Sequence, residues 1–103
     1  MNNKISAYLG FAIKSGKVIF GYDNLKDYNK KLYLIIICHS ANNKYIDFSL
    51  SKQKTTGCDL LRTKDVLLDQ LVNKVNCKII GIKNKELATA IISCGEENIV
   101  EVI

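Results

Sequence analysis

The sequence predicts an α/β chain, a three-layer α/β/α sandwich around a mixed, mostly parallel sheet of about four strands. Three observations point there. Helix-spaced and strand-like apolar segments alternate from end to end. Leu32 to Cys38 is apolar at every position, as a central strand covered on both faces requires. The connections are short, and no linker, repeat or low-complexity tract divides the 103 residues into more than one domain.

The first helix is expected over 3–14, with Ile5, Tyr8, Leu9, Ala12 and Ile13 at helical spacing and Gly16 as its left-handed stop. Val18 to Phe20 is a short strand. Asp23 can cap a short second helix that runs to about Asn29. After the strand 32–38, Ser40 is the expected cap of a third helix, with Ala41, Tyr45 and Phe48 inward, ending by Gly57. Cys58 to Arg62 reads as a second core strand. Thr63 is the expected cap of a fourth helix, with Leu67, Leu68, Leu71, Val72 and Val75 inward. Lys78 to Ile82 is another strand. Asn84 caps a fifth helix carrying Leu87, Ala90, Ile91 and Cys94, and Gly95 ends it. Ile99 to Ile103 reads as one more short strand or a docked tail.

Nearly half the residues are apolar, enough for a chain that folds alone. No apolar run approaches the ~20 residues needed to cross a bilayer, and no cleavable leader is expected. Cys38, Cys58, Cys77 and Cys94 are too widely spaced for a zinc knuckle or a redox C-x-x-C. They read as reduced, buried thiols of a cytoplasmic protein. The net charge is +5, and fourteen of the fifteen basic residues are lysine. Residues 1–57 carry nine lysines against three acids, whereas 58–103 carry six basic residues against seven acidic ones. The positive field belongs to the first half, as a binding footprint would.

Catalytic chemistry finds little to work with. His39 is the one histidine, placed just past the strongest strand, but no nucleophile or G-x-S-x-G, H-E-x-x-H or C-x-x-C motif accompanies it. It reads as a strand-end residue, and the chain as a non-enzymatic one. Gly10, Gly16 and Gly21 do not form a dinucleotide or Walker loop, so no cofactor, metal or small-molecule substrate is implied. Lys14 and Lys17 flank Gly16, where a close backbone approach and two charges suit a phosphate. The same pair also suits an ordinary helix end, offsetting its dipole. Gly21, Asp23, Asn24 and Lys26 form the second candidate, a helix opening whose side chains could meet base edges and phosphates. The cationic turn and this helix opening are expected to share one exposed lip.

These segments, taken in order, resemble a known family. Leu9-Gly-Phe-Ala-Ile-Lys-Ser-Gly-Lys17, then Gly21, then the strand Leu34–Ile37, is similar to the opening of the kink-turn RNA-binding ribosomal proteins, the archaeal "L seven-Ae" and "L thirty-e" type. The closer likeness is to the bacterial YlxQ-type branch. Thr63-Lys-Asp-Val-Leu67 resembles that family's Ser-Lys-Glu-Glu-Leu segment after the third strand, and the likeness spans residues 4–92. The resemblance implies an α/β/α sandwich that binds structured, kink-turn-like RNA at tandem G·A pairs. It also implies an apolar loop near Val75, between Lys74 and Asn76, that covers an extruded base. The family's Asn, Glu and Lys fall on Asp23, Asn24 and Asp27, the last a reversal of charge.

The expectation is therefore a cytoplasmic, monomeric RNA-binding protein, plausibly ribosomal. Its RNA-contacting residues would be Lys14, Lys17, Gly21, Asp23, Asn24, Lys26 and Val75. The rival is a protein-interaction module that kept the fold and lost kink-turn recognition, a reading that Asp23 and Asp27 favour.

Overall fold

A computed structural model of the chain describes residues 4–94 and the backbone of 100–102. The order is α1 (Lys4–Lys14), β1 (Val18–Phe20), α2 (Tyr22–Asp27), β2 (Leu34–Ile37), α3 (Asn43–Thr56), β3 (Asp59–Thr63), α4 (Leu68–Val72), β4 (Ile79–Ile82), α5 (Lys85–Ser93) and β5 (Val100–Val102). The strands form one sheet in the order β1-β4-β2-β3-β5. The fold is α/β, with α1, α4 and α5 on one face of the sheet and α2 and α3 on the other.

The two middle strands explain the layering. β2 and β4 are buried at every position. Leu34 and Ile36 meet Ile5, Leu9, Leu68 and Ile91 on one side, while Ile35 and Ile37 meet Leu25 and Leu60 on the other. Alternate side chains of a strand point to opposite faces, so a continuous apolar run fits only a doubly covered strand. Gly81 of β4 faces α2. A Cβ there would lie 2.5 Å from Leu25 Cδ2 and 3.0 Å from Leu32 Cδ2, so the missing side chain is what lets α2 seat on the sheet.

"Mostly parallel" needs correcting. β2 and β3 form the one parallel pair, and the β1–β4, β2–β4 and β3–β5 pairings are antiparallel. A parallel return requires a crossover long enough to travel back along the sheet. The fourteen residues of α3 span ~21 Å and provide it between β2 and β3. The five residues of α4 cover only ~8 Å, so the chain re-enters β4 from the end at which β3 finished.

Element ends follow local chemistry, in places different from that expected. Gly16 (φ 71°) closes α1, with Gly16 N–H donating to Ile13 O at 3.1 Å and Lys17 N–H to Ala12 O at 2.9 Å, the Schellman pattern. Asn42, not Ser40, caps α3 through Tyr45 N–H, and Ser40 instead accepts from Lys78 Nζ at 2.8 Å. Thr63 ends β3, buried, with its hydroxyl accepting from His39 N–H at 2.9 Å. α4 begins only at Leu68, where Gln70 Oε1 turns back to accept from Leu67 N–H. It stops at Val72 because Asn73 turns left-handed (φ 54°), so Val75 is not part of its inner face. Asn84 caps α5 as expected, while Gly95 lies outside the described residues.

Candidate nucleic-acid interface

A groove of about 430 Å³ opens at one end of the sheet, between β1 with the start of α2 and the loop that joins α4 to β4. The groove runs along β1, with Val18, Ile19, Gly21 and Asn24 on one bank and Lys74, Val75 and Asn76 on the other. Phe20 and Cys77 lie between them. Three of the residues singled out from sequence, Gly21, Asn24 and Val75, thus meet across one opening. They are about fifty residues apart in the chain.

Each bank is built by backbone that few residues tolerate. Gly21 has φ 87° and ψ 159°, a region that side chains essentially forbid. Its N–H donates to Ile79 O at 3.0 Å, which ties the turn to β4. Asn24 Nδ2 donates to Phe20 O at 2.8 Å. A carbonyl can only accept, so this bond fixes the amide orientation. Oδ1, bonded to nothing among the described residues, is left for a partner. On the facing bank, Asn73 (φ 54°) and Asn76 (φ 60°) take left-handed turns on either side of Lys74 and Val75. Asparagine is among the few side chains that accept this conformation. The result pushes Val75 out until it is 83% exposed, unusual for a branched apolar residue.

Charge and polarity are unevenly shared. Lys74 Nζ lies 4.9 Å from the centroid of the Phe20 ring, so a cation–π contact braces the loop against β1 and puts a positive charge beside the opening. Burial pushes the Cys77 thiol up, which keeps it neutral as part of the wall. Behind it, Cys38 is buried. Burial would raise its pKa, but hydrogen bonds from Ser40, Leu68 N–H and Thr63 outweigh that and hold it below the ordinary thiol value.

Other expected contacts lie elsewhere. Lys26 is exposed but sits about 160° around α2 from Asn24, so it does not join the groove. Asp23 is about 100° away from Asn24, and Asp27 only about 60°. Tyr22 faces α3, edge-on to Tyr45 and Phe48 at 5.6 and 5.0 Å, with Lys44 Nζ 4.3 Å over its ring. Those contacts make it an anchor of α2. Lys14 and Lys17 are exposed at the far end of β1. Lys83 N–H donates to Lys17 O there, while Gly21 pairs with Ile79 at the groove end. The cationic turn and the helix opening therefore do not share one lip. They are separated by the length of β1, ~13 Å for four extended residues. His39 is exposed and lies outside the groove. β5 pairs with β3, at the other edge of the sheet from β1, so this backbone leaves the groove open.

The sequence reading did not place Phe20 or Cys77 at the site, and it named Lys74 and Asn76 only as flanks of the loop that the resemblance implied. A signal for that loop in the residues themselves is Asn73 and Asn76 spaced around an isolated valine.

No protein-family model and no curated protein matches the chain. Among solved structures, it is similar to one described as a protein with unknown function from Bacillus halodurans. The TM-score is 0.80 at 17% identity, over 90% of this chain and 97% of that one. At that identity the likeness establishes the shared fold alone.

Proposed function

We propose that the chain is a small RNA-binding protein of the kink-turn-binding type and that the groove is its recognition site. The observation that carries this reading is Val75, 83% exposed on a loop facing Asn24 across the opening. An apolar side chain held out beside a polar amide suits an unstacked base, which offers one flat face and one hydrogen-bonding edge. Asn24 Oδ1 accepts from a base amino group, Val75 packs on the base face, and Lys74 pairs with a phosphate. The partner is a structured RNA, with ribosomal RNA the natural class. Free thiols at Cys38, Cys58, Cys77 and Cys94 fit a cytoplasmic setting.

The acidic face of α2 favours one rival, a protein-interaction module that keeps the fold without the RNA. A gel shift separates the two. One RNA carries a kink-turn, and the other has its G·A pairs replaced. The RNA reading expects at least about tenfold tighter binding to the first, equivalent to ~1.4 kcal/mol. Equal, weak binding to both would favour the interaction module.

A further inference from the structure

Five lysines gather at the end of the sheet opposite Gly21, Asn24 and the Lys74–Cys77 loop, next to where the groove ends at Val18. Lys14 lies in the last turn of α1 and Lys17 opens β1. Lys83 leaves β4 beside Lys17, its N–H donating to Lys17 O at 2.9 Å. Tyr33 N–H donates to Ile82 O at 3.0 Å, which brings the start of β2 alongside, and Lys31 Nζ lies 5.6 Å over the Tyr33 ring. Lys31 and Lys85 then line the same shallow cavity of about 220 Å³ with Asp59. Lys14, Lys17, Lys31 and Lys85 are exposed. Among the described residues, Asp59 and Glu86 are the acids of this end, against five lysines.

We infer that this lysine-rich end is a second phosphate-contact surface, set beyond the Gly21–Asn24 end of the groove by the length of β1, which grips the stem flanking the recognised motif. The inference rests on the RNA-binding reading and extends it. Lys14 belongs to α1, Lys85 to α5, and Lys17, Lys31 and Lys83 to the connections beside β1, β2 and β4, so topology sets them side by side. Lysines in excess over acids suit a regular line of phosphates, where each contact releases counterions. The separation also sets a requirement on the RNA. A duplex must continue several base-pair steps past Gly21 to span the ~13 Å to Lys17. An RNA trimmed close to its motif would fill the groove and leave this end empty.

The test compares two kink-turn RNAs, one with its flanking stem trimmed to about two pairs and one extended to about ten, longer than the ~13 Å span. Affinity is measured against salt for the natural chain and for Lys14→Gln/Lys17→Gln/Lys83→Gln/Lys85→Gln. For the natural chain, the longer stem should steepen the log–log salt slope by about three, at ~0.9 per phosphate contact. The variant should lose that increment, and about tenfold in affinity, on the long RNA only. Equal slopes for the natural chain on both RNAs would overturn the inference, and this arm needs no variant to fold. Equal losses by the variant on both RNAs would also overturn it, because the lysines would then act on the motif itself. Natural chain that binds neither RNA better than the G·A-replaced control would overturn the groove reading together with this one.

Discussion

Val75 is the residue on which the proposed recognition turns. It packs against little of its own protein, so Val75→Asp should change stability by no more than about 0.5 kcal/mol. The same change should abolish preference for the kink-turn RNA, read as a loss of at least about tenfold in a filter-binding titration. Retained preference would remove the loop from the site. Asp27 offers the opposite experiment. It lies closer to the Asn24 side of α2 than Lys26 does, and it falls where the resemblance expects a lysine. Asp27→Lys should tighten binding and add about one unit to the salt slope. A weaker complex would show that α2 meets something other than a phosphate. Gly21→Val should cost about 1–3 kcal/mol of stability through its φ of 87° alone, measurable by urea unfolding. At this scale the sequence was a partial guide. Gly21 and Asn24 were singled out from the residues of a helix opening, whereas Val75 came only from the family resemblance, its helical spacing with Leu71 and Val72 having suggested an inward position. Lys26 lies off the groove because one residue along a helix rotates a side chain by ~100°. That rotation cannot be read until the buried residue, Leu25, is known.

α2 is the element that holds one bank of the groove, and Leu25 holds α2. Leu25 is fully buried against the space left by Gly81. Gly81→Ala should destabilise the fold by about 1–3 kcal/mol through overpacking, and it should weaken RNA binding by shifting α2. Thermal unfolding together with a titration would check both. An unchanged Tm would mean that Leu25 finds another rotamer freely. α3 carries a different oddity: Ser49 is fully buried, with no partner for its hydroxyl among the described residues. Ser49→Ala should stabilise the protein by roughly 1 kcal/mol, because it removes a desolvated hydroxyl and favours the helix. The long elements were legible from apolar spacing, as α1, α3, α5, β2 and β4 show. The caps were less so. Ser40, Asn42 and Thr63 are all good capping types, and tertiary demands decided between them. Thr63 was taken by His39 N–H and Ser40 by Lys78. α4 was overextended because Leu71, Val72 and Val75 keep helical spacing past the point where Asn73 reverses the backbone.

On the scale of the whole molecule, the ends of the sheet divide between two proposed roles. The groove end would read base and loop shape, and the lysine end would meet phosphate. The charge excess of residues 1–57 announced a footprint, yet the sequence could not place it. Lys83 and Lys85 come from the half with no net positive charge and join Lys14 and Lys17 only through the antiparallel β1–β4 pairing. The sheet direction escaped for the same reason. It depends on how far α4 travels, and that length is set by an asparagine turn and not by apolar pattern. The most direct test of the groove as the binding site is an amide-resolved NMR titration of the protein with a kink-turn RNA. Gly21, Asn24 and the Lys74–Cys77 loop should show the largest shifts at the lowest RNA ratios. Shifts centred on the outer face of α1, around Tyr8 and Phe11, with the groove amides unmoved, would contradict the account.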